Sequence, residues 1–255
     1  MQTAIVEKHE CLIINFPGSK VKDKIKADGT IDQRYKKRED NRPGAKAMSC
    51  LNSQEEINIV YNKYKEKIDK ATTLNKEKIA RRNLCMFICS INIGLRGGDF
   101  CSMKYEDVFD LNWKFKEDAI YMTEKTHKNV EIDFNHDIKA SLSDYIGWLR
   151  EHGFCLKLSD YIFTSQKGQG IGRKEWWKIN SIMCEEAGIT KRIGTHGLRK
   201  TMVHSYLQNA NDYSEALAQV SARMGHADLR TTEIYACMER EKIKNNLNEM
   251  AFLFK

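Results

Sequence analysis

The chain has 255 residues, 41% hydrophobic and 30% charged, with a formal net charge of +7; that fits one large domain, or an ordinary domain with a small appendage. No apolar run approaches the ~18 residues of a membrane-spanning helix, and the first ten residues lack the basic-then-apolar layout of a signal peptide, so no membrane partner and a cytoplasmic location are expected. The positive surplus favours a polyanionic partner such as nucleic acid, though many unrelated proteins carry as much.

Residues 1–47 differ from the rest. Between 20 and 46, ten lysines and arginines stand against five carboxylates, and both prolines, Pro17 and Pro43, fall before residue 48. Asp28-Gly29 and Pro43-Gly44 are turn signals. A short strand is expected at 11–15. The rest reads as a basic arm or linker, either a solvated tail or a segment that tracks phosphates.

A capping box, Ser53 with Glu56, predicts a helix start. Ile57, Val60, Tyr61, Tyr64 and Ile68 then fall on one face. A second helix is expected over 76–93, almost wholly apolar from 85 onward and ended by Gly94. Cys85 and Cys89, four apart, read as its buried face. No CxxC pair exists among the eight cysteines, so thiols are expected, not a zinc site or a disulfide framework.

Arg96 follows, beside Gly97-Gly98. Glycines leave room for close approach to the backbone, and Asp99 is expected to hold the guanidinium through a charge-assisted pair. An ordinary exposed turn arginine is the competing reading. Residues 115–134 read as a hairpin with strands at 119–123 and 130–134. Lys125 and Lys128 lie in its polar turn, either solvated or able to reach a phosphate. An amphipathic helix over 136–152 turns Ile138, Leu142, Tyr145, Ile146 and Leu149 inward. A short strand is expected at 161–164. The glycine-rich loop 166–172 lacks the Gly-Lys-Ser/Thr of a nucleotide-binding loop. A helix over 174–187 carries Trp176 and Trp177, read as core and rim.

The chemistry concentrates in the last sixty residues. Thr195 is expected to cap a helix beginning at His196. His196 and Arg199, at i and i+3, then emerge on one face at a helix N-terminus, whose free amides favour anions. Gly225-His226 follows a helix ending near Met224. Asp228 caps a short helix over 229–236, and Tyr235 sits on its last turn. A tyrosine hydroxyl attacking a phosphodiester builds negative charge on the phosphate oxygens, which guanidiniums stabilise. An imidazole suits the tyrosine proton, and a flexible lysine suits the departing oxygen. The covalent product conserves bond energy for religation. The scheme requires neither a metal nor a cofactor.

Gly94-Leu95-Arg96-Gly97-Gly98-Asp99, then Thr195-His196-Gly197-Leu198-Arg199-Lys200-Thr201, then Met224-Gly225-His226 with Tyr235, resemble in that order the tyrosine recombinase (phage integrase) family. The resemblance runs from about residue 49 to the C-terminus. It implies an α+β fold: a mostly helical tyrosine-recombinase catalytic domain with a small antiparallel sheet, over 48–255. It implies that Tyr235 attacks, Arg96 and Arg199 bind the scissile phosphate, His196 is the base, Lys125 (with Lys128 in reserve) the acid, and His226 supports the phosphate. Asp99 takes the supporting acidic position. The implied activity is cleavage and rejoining of double-stranded DNA through a 3′-phosphotyrosine. The apolar tail, 239–255, is expected to link copies into a homo-oligomer, a tetramer on paired sites.

Two departures stand out. Residues 1–47 are too short for the helical core-binding domain that most members carry, and Gly97-Gly98 is expected to loosen the turn after Arg96. A type IB topoisomerase-like nicking-closing enzyme and a catalytically silent DNA-binding regulator are the alternatives; the full set of six candidate residues argues against the regulator.

Overall fold

The computed structural model describes residues 49–125, 127–166, 168–225 and 229–236, with only the backbone for 234–236. The expected arm, the strand at 11–15, the Asp228 cap and the tail at 239–255 lie outside the described residues. The described elements are α1 (Gln54–Asp69), α2 (Leu74–Ile93), α3 (Gly97–Cys101), α4 (Tyr105–Val108), β1 (Ala119–Met122), β2 (Asn129–Ile132), α5 (His136–Glu151), α6 (Arg173–Glu186), α7 (Thr195–Gln208), α8 (Tyr213–Met224) and α9 (Leu229–Ala236).

Ser53 starts α1 as expected: its Oγ accepts the Glu56 amide at 3.2 Å. The Glu56 carboxylate, however, reaches the amide of Asn52 (3.0 Å) rather than that of Ser53, and Lys191 also binds it at 2.6 Å. α2 begins two residues earlier than expected, because the Thr73 hydroxyl accepts the Lys76 amide. Gly94 ends α2 in the left-handed region, φ 73°, where a residue without Cβ is unstrained.

α2 is the central helix. It packs against α1, α5 and α7. Met86, Phe87 and Cys89 are fully buried along it, and Phe87 stacks on Tyr64 of α1 with ring centroids 5.1 Å apart. Each such side chain contributes roughly 1.5–3 kcal/mol through burial. α5 turns in all five expected residues and Trp148 as well. Trp176 is buried and Trp177 lies at the rim. The described cysteines are free thiols.

Arg82 is a buried charge on α2, 4% exposed. Its guanidinium donates to Asn83 Oδ1 and, at 2.6 Å, to the carbonyl of Thr164. Burial lowers its pKa.

The sheet is the antiparallel pair β1–β2, with Tyr121 opposite Val130. Alternation on β1 buries Ala119 and Tyr121 and exposes Ile120 and Met122. The strand expected at 161–164 is instead two isolated bridges, Lys104–Tyr161 and Thr164–Gly170; each end finds a different partner, so no continuous ladder forms. A second, smaller apolar cluster joins α7 to α8 through Met202, Val203, Leu217 and Val220, and α9 packs on both. Among the described residues no helix is long and apolar enough to cross a membrane.

Candidate active site

Arg96 is half-buried at the N-cap of α3, a five-residue helix where a turn was expected. Gly94 and Gly97 on either side of it pack on α7. A Cβ on Gly94 would stand 2.0 Å from Met202 Cε, and one on Gly97 would stand 2.9 Å from the Thr195 side chain. At Gly97 the missing Cβ is therefore what this packing requires. Gly97 lets α3 start against the first residue of α7, while Gly98 faces open space.

Thr195 is that first residue. The expected cap at Thr195 moves back to Gly194, whose lack of a side chain leaves the helix start without a side-chain cap. The amides at the start of α7 therefore do not answer to a cap hydroxyl. His196 is exposed on this first turn, and Arg199 is 6% exposed. Arg199 Nη2 donates to the carbonyl of Met224 at 3.2 Å. That bond ties the His196–Arg199 turn to the end of α8, where Gly225 takes φ 66°. His226 lies outside the described residues. Tyr235 lies on the last turn of α9, with only its backbone described.

Asp99 does not do what its spacing suggested. Among the described residues it forms no ion pair with Arg96. Its Oδ1 accepts the amide of Glu124 at 2.9 Å, and its buried Oδ2 has no hydrogen-bond partner. Asp99 thus joins α3 to the hairpin turn, one residue before Lys125. A sequence offers no sign of such a bond, because the partner is a backbone amide 25 positions away.

Lys125 and Lys128 are both exposed. The backbone of Lys128 exchanges hydrogen bonds with Thr123: its carbonyl accepts from the Thr123 amide at 3.0 Å, and its amide donates to Thr123 Oγ1 at 3.2 Å. Lys128 also lines a cleft of about 590 Å³ between β2 and α8, together with Val130, Glu131, Arg223 and Gly225. Arg223 spans that side, bound to Asp133 at 2.9 Å.

The structure therefore brings together the starts of α3 and α7, the hairpin turn and the end of α8. Arg96, His196 and Arg199 are carried by these segments, and Lys125 follows the Asp99–Glu124 contact by one residue.

Its mostly helical fold with a small antiparallel sheet is shared by solved recombinases. XerH site-specific recombinase, solved bound to a palindromic difH substrate in a post-cleavage complex, superposes with a TM-score of 0.57 at 24% identity, covering 81% of this chain and 54% of that one. The sequence model of the phage integrase family matches residues 61–242, and the chain belongs to that family. Tyrosine recombinase XerD of Oceanobacillus iheyensis is 29% identical over 171 residues, 66% of this chain and 54% of that protein. Tyrosine recombinase XerD of Listeria monocytogenes is 36% identical over 87 residues, 34% of this chain and 28% of its own length. The chain thus spans about half, or less, of the length of these three proteins.

Proposed function

We propose that this chain is a site-specific recombinase that cleaves and rejoins duplex DNA through a 3′-phosphotyrosine on Tyr235. The observation that carries the reading is the contact of Gly97 with Thr195. Arg96 and His196 each adjoin one of two residues in contact, so the arginine and the His196–Arg199 turn share one locale. Membership of the phage integrase family supports it independently.

In this reading the Tyr235 oxygen forms a bond to phosphorus, and its proton passes to His196. The bond from phosphorus to the 5′ oxygen breaks, and that oxygen takes a proton from Lys125, with Lys128 as the alternative donor. Arg96 and Arg199, with His226, hold the non-bridging oxygens as charge builds on them. Attack by the 5′ hydroxyl of a partner strand reverses the step and frees Tyr235. The basic arm, residues 1–47, adds sequence-independent phosphate contacts, and the tail at 239–255 links copies on paired sites.

A covalent trap tests the chemistry. The protein is mixed with a suicide duplex in EDTA and resolved on a denaturing gel. The expected result is a shifted, protease-sensitive band that disappears in Tyr235→Phe while DNA binding persists. An undiminished band in that variant removes Tyr235 as nucleophile. No band on DNA that the wild-type chain binds leaves a binding protein without strand transfer.

A further inference from the structure

Residues 49–51 lie against the helix that carries His196 and Arg199. The Leu51 amide donates to Thr201 Oγ1 at 2.9 Å, and the Thr201 hydroxyl donates to the Gly197 carbonyl at 3.1 Å. A hydroxyl supplies one donor and two lone pairs, so Thr201 serves both bonds at once. Leu51 and Thr201 are fully buried, and Cys50 is 3% exposed. A Cβ on Gly197 would stand 2.5 Å from the Ser49 carbonyl oxygen, so only glycine lets the segment lie this close.

The same segment also holds the loop before α7. The Ser49 amide donates to the Arg192 carbonyl at 3.1 Å, and Lys191 Nζ donates to Asn52 Oδ1 at 2.6 Å. On a helix of 100° per residue, the Gly197–Thr201 face points about 150° away from the His196–Arg199 face. Residues 49–52 therefore brace α7 from behind, at the turn whose front carries the two candidate catalytic side chains. That turn has no side-chain cap of its own.

We propose that Thr201 and Gly197 are positioning residues for strand cleavage. Through them the seat of residues 49–51 sets the pose of His196 and Arg199. The inference rests on the recombinase reading of the site. The hydroxyl is what matters at Thr201: valine keeps its shape and loses both bonds, whereas serine keeps both.

The test compares wild type, Thr201→Val and Thr201→Ser as full chains on the suicide duplex, under single turnover with protein in excess. Thr201→Val is expected to cleave about tenfold more slowly, within the range that a small misplacement of reacting groups produces. Its Kd for the duplex stays within about twofold of wild type, since no DNA-facing cation is removed. Thr201→Ser restores the rate. A general loss of folded protein would lower binding and cleavage together, so a split between them identifies positioning. Wild-type cleavage by folded Thr201→Val overturns the proposal.

Amide hydrogen exchange on the wild-type chain tests the latch without activity, and also if Thr201→Val does not fold. The Leu51 amide is expected to exchange as slowly as that of Val203 in the core. Exchange of Leu51 at the rate of an open loop overturns the latch. If wild type forms no adduct on DNA it binds while Leu51 is protected, the recombinase reading fails and the latch stands as structure alone.

Discussion

Two regions of this molecule are held together in different ways. Around α2, apolar side chains from α1, α5, α6 and the hairpin form one large cluster. Between α7 and α8 the corresponding cluster has, among the described residues, seven buried apolar side chains. The neighbourhood of the candidate site adds close approaches between named atoms to this packing: Gly94 on Met202, Gly97 on Thr195, and Arg199 on the Met224 carbonyl. A large apolar core distributes its stabilisation over many contacts. Close approaches at the site concentrate its geometry in a few atoms, so a change of one group there is felt directly.

The largest effect expected from this contrast is on the core side. Phe87→Ala empties a fully buried ring position stacked on Tyr64 and should destabilise the fold by ~3–5 kcal/mol in urea unfolding. A loss below ~1 kcal/mol would show that the α2 cluster collapses around the gap and would erase the contrast. Next comes the site. Arg199→Ala should slow cleavage about 10²–10³-fold, or ~2.7–4 kcal/mol of transition-state stabilisation. A twofold change would remove Arg199 from the chemistry.

Smaller still is the effect of a single methyl group. Gly94→Ala meets both a positive φ and Met202 Cε, which should cost ~1–3 kcal/mol. Gly98→Ala, with nothing within 4 Å, should stay within ~0.5 kcal/mol of wild type. Equal costs at the two positions would contradict the close packing of α2 on α7.

The smallest effect is a pH dependence. Burial pushes the Cys101 and Cys184 thiols from their ordinary value near 9 up to about 12. The folded state therefore favours the neutral thiols. Their contribution to stability is complete below pH 9 and is lost as pH rises from 9 toward 12. Urea unfolding at pH 7, 9 and 10.5 should show little change over the first interval and a decline over the second. A stability that rises above pH 9 would contradict this burial.

Much of this was legible before any coordinates. The 3.6-residue spacing of Val60 and Tyr64, and of Ile138, Leu142, Tyr145 and Leu149, marks α1 and α5 because these helices bury one continuous face. Helices α3 and α4 were not legible: four or five residues hold too little periodicity, and Asp107 caps α4 by accepting the Lys104 amide at 2.7 Å. At the site, the spacing of His196 and Arg199 was readable because it is local to one helix. The partner of Asp99 and the need for Gly97 were not, since both depend on segments that meet only in three dimensions.

The buried Arg82 bears on how the chain reaches this state. Its contact with the Thr164 carbonyl joins positions 82 residues apart. The charge on α2 loses water as Thr164 docks beside it, and the carbonyl that arrives supplies the acceptor that replaces that water. Burial of the guanidinium is thereby coupled to closing a contact between segments far apart in the chain.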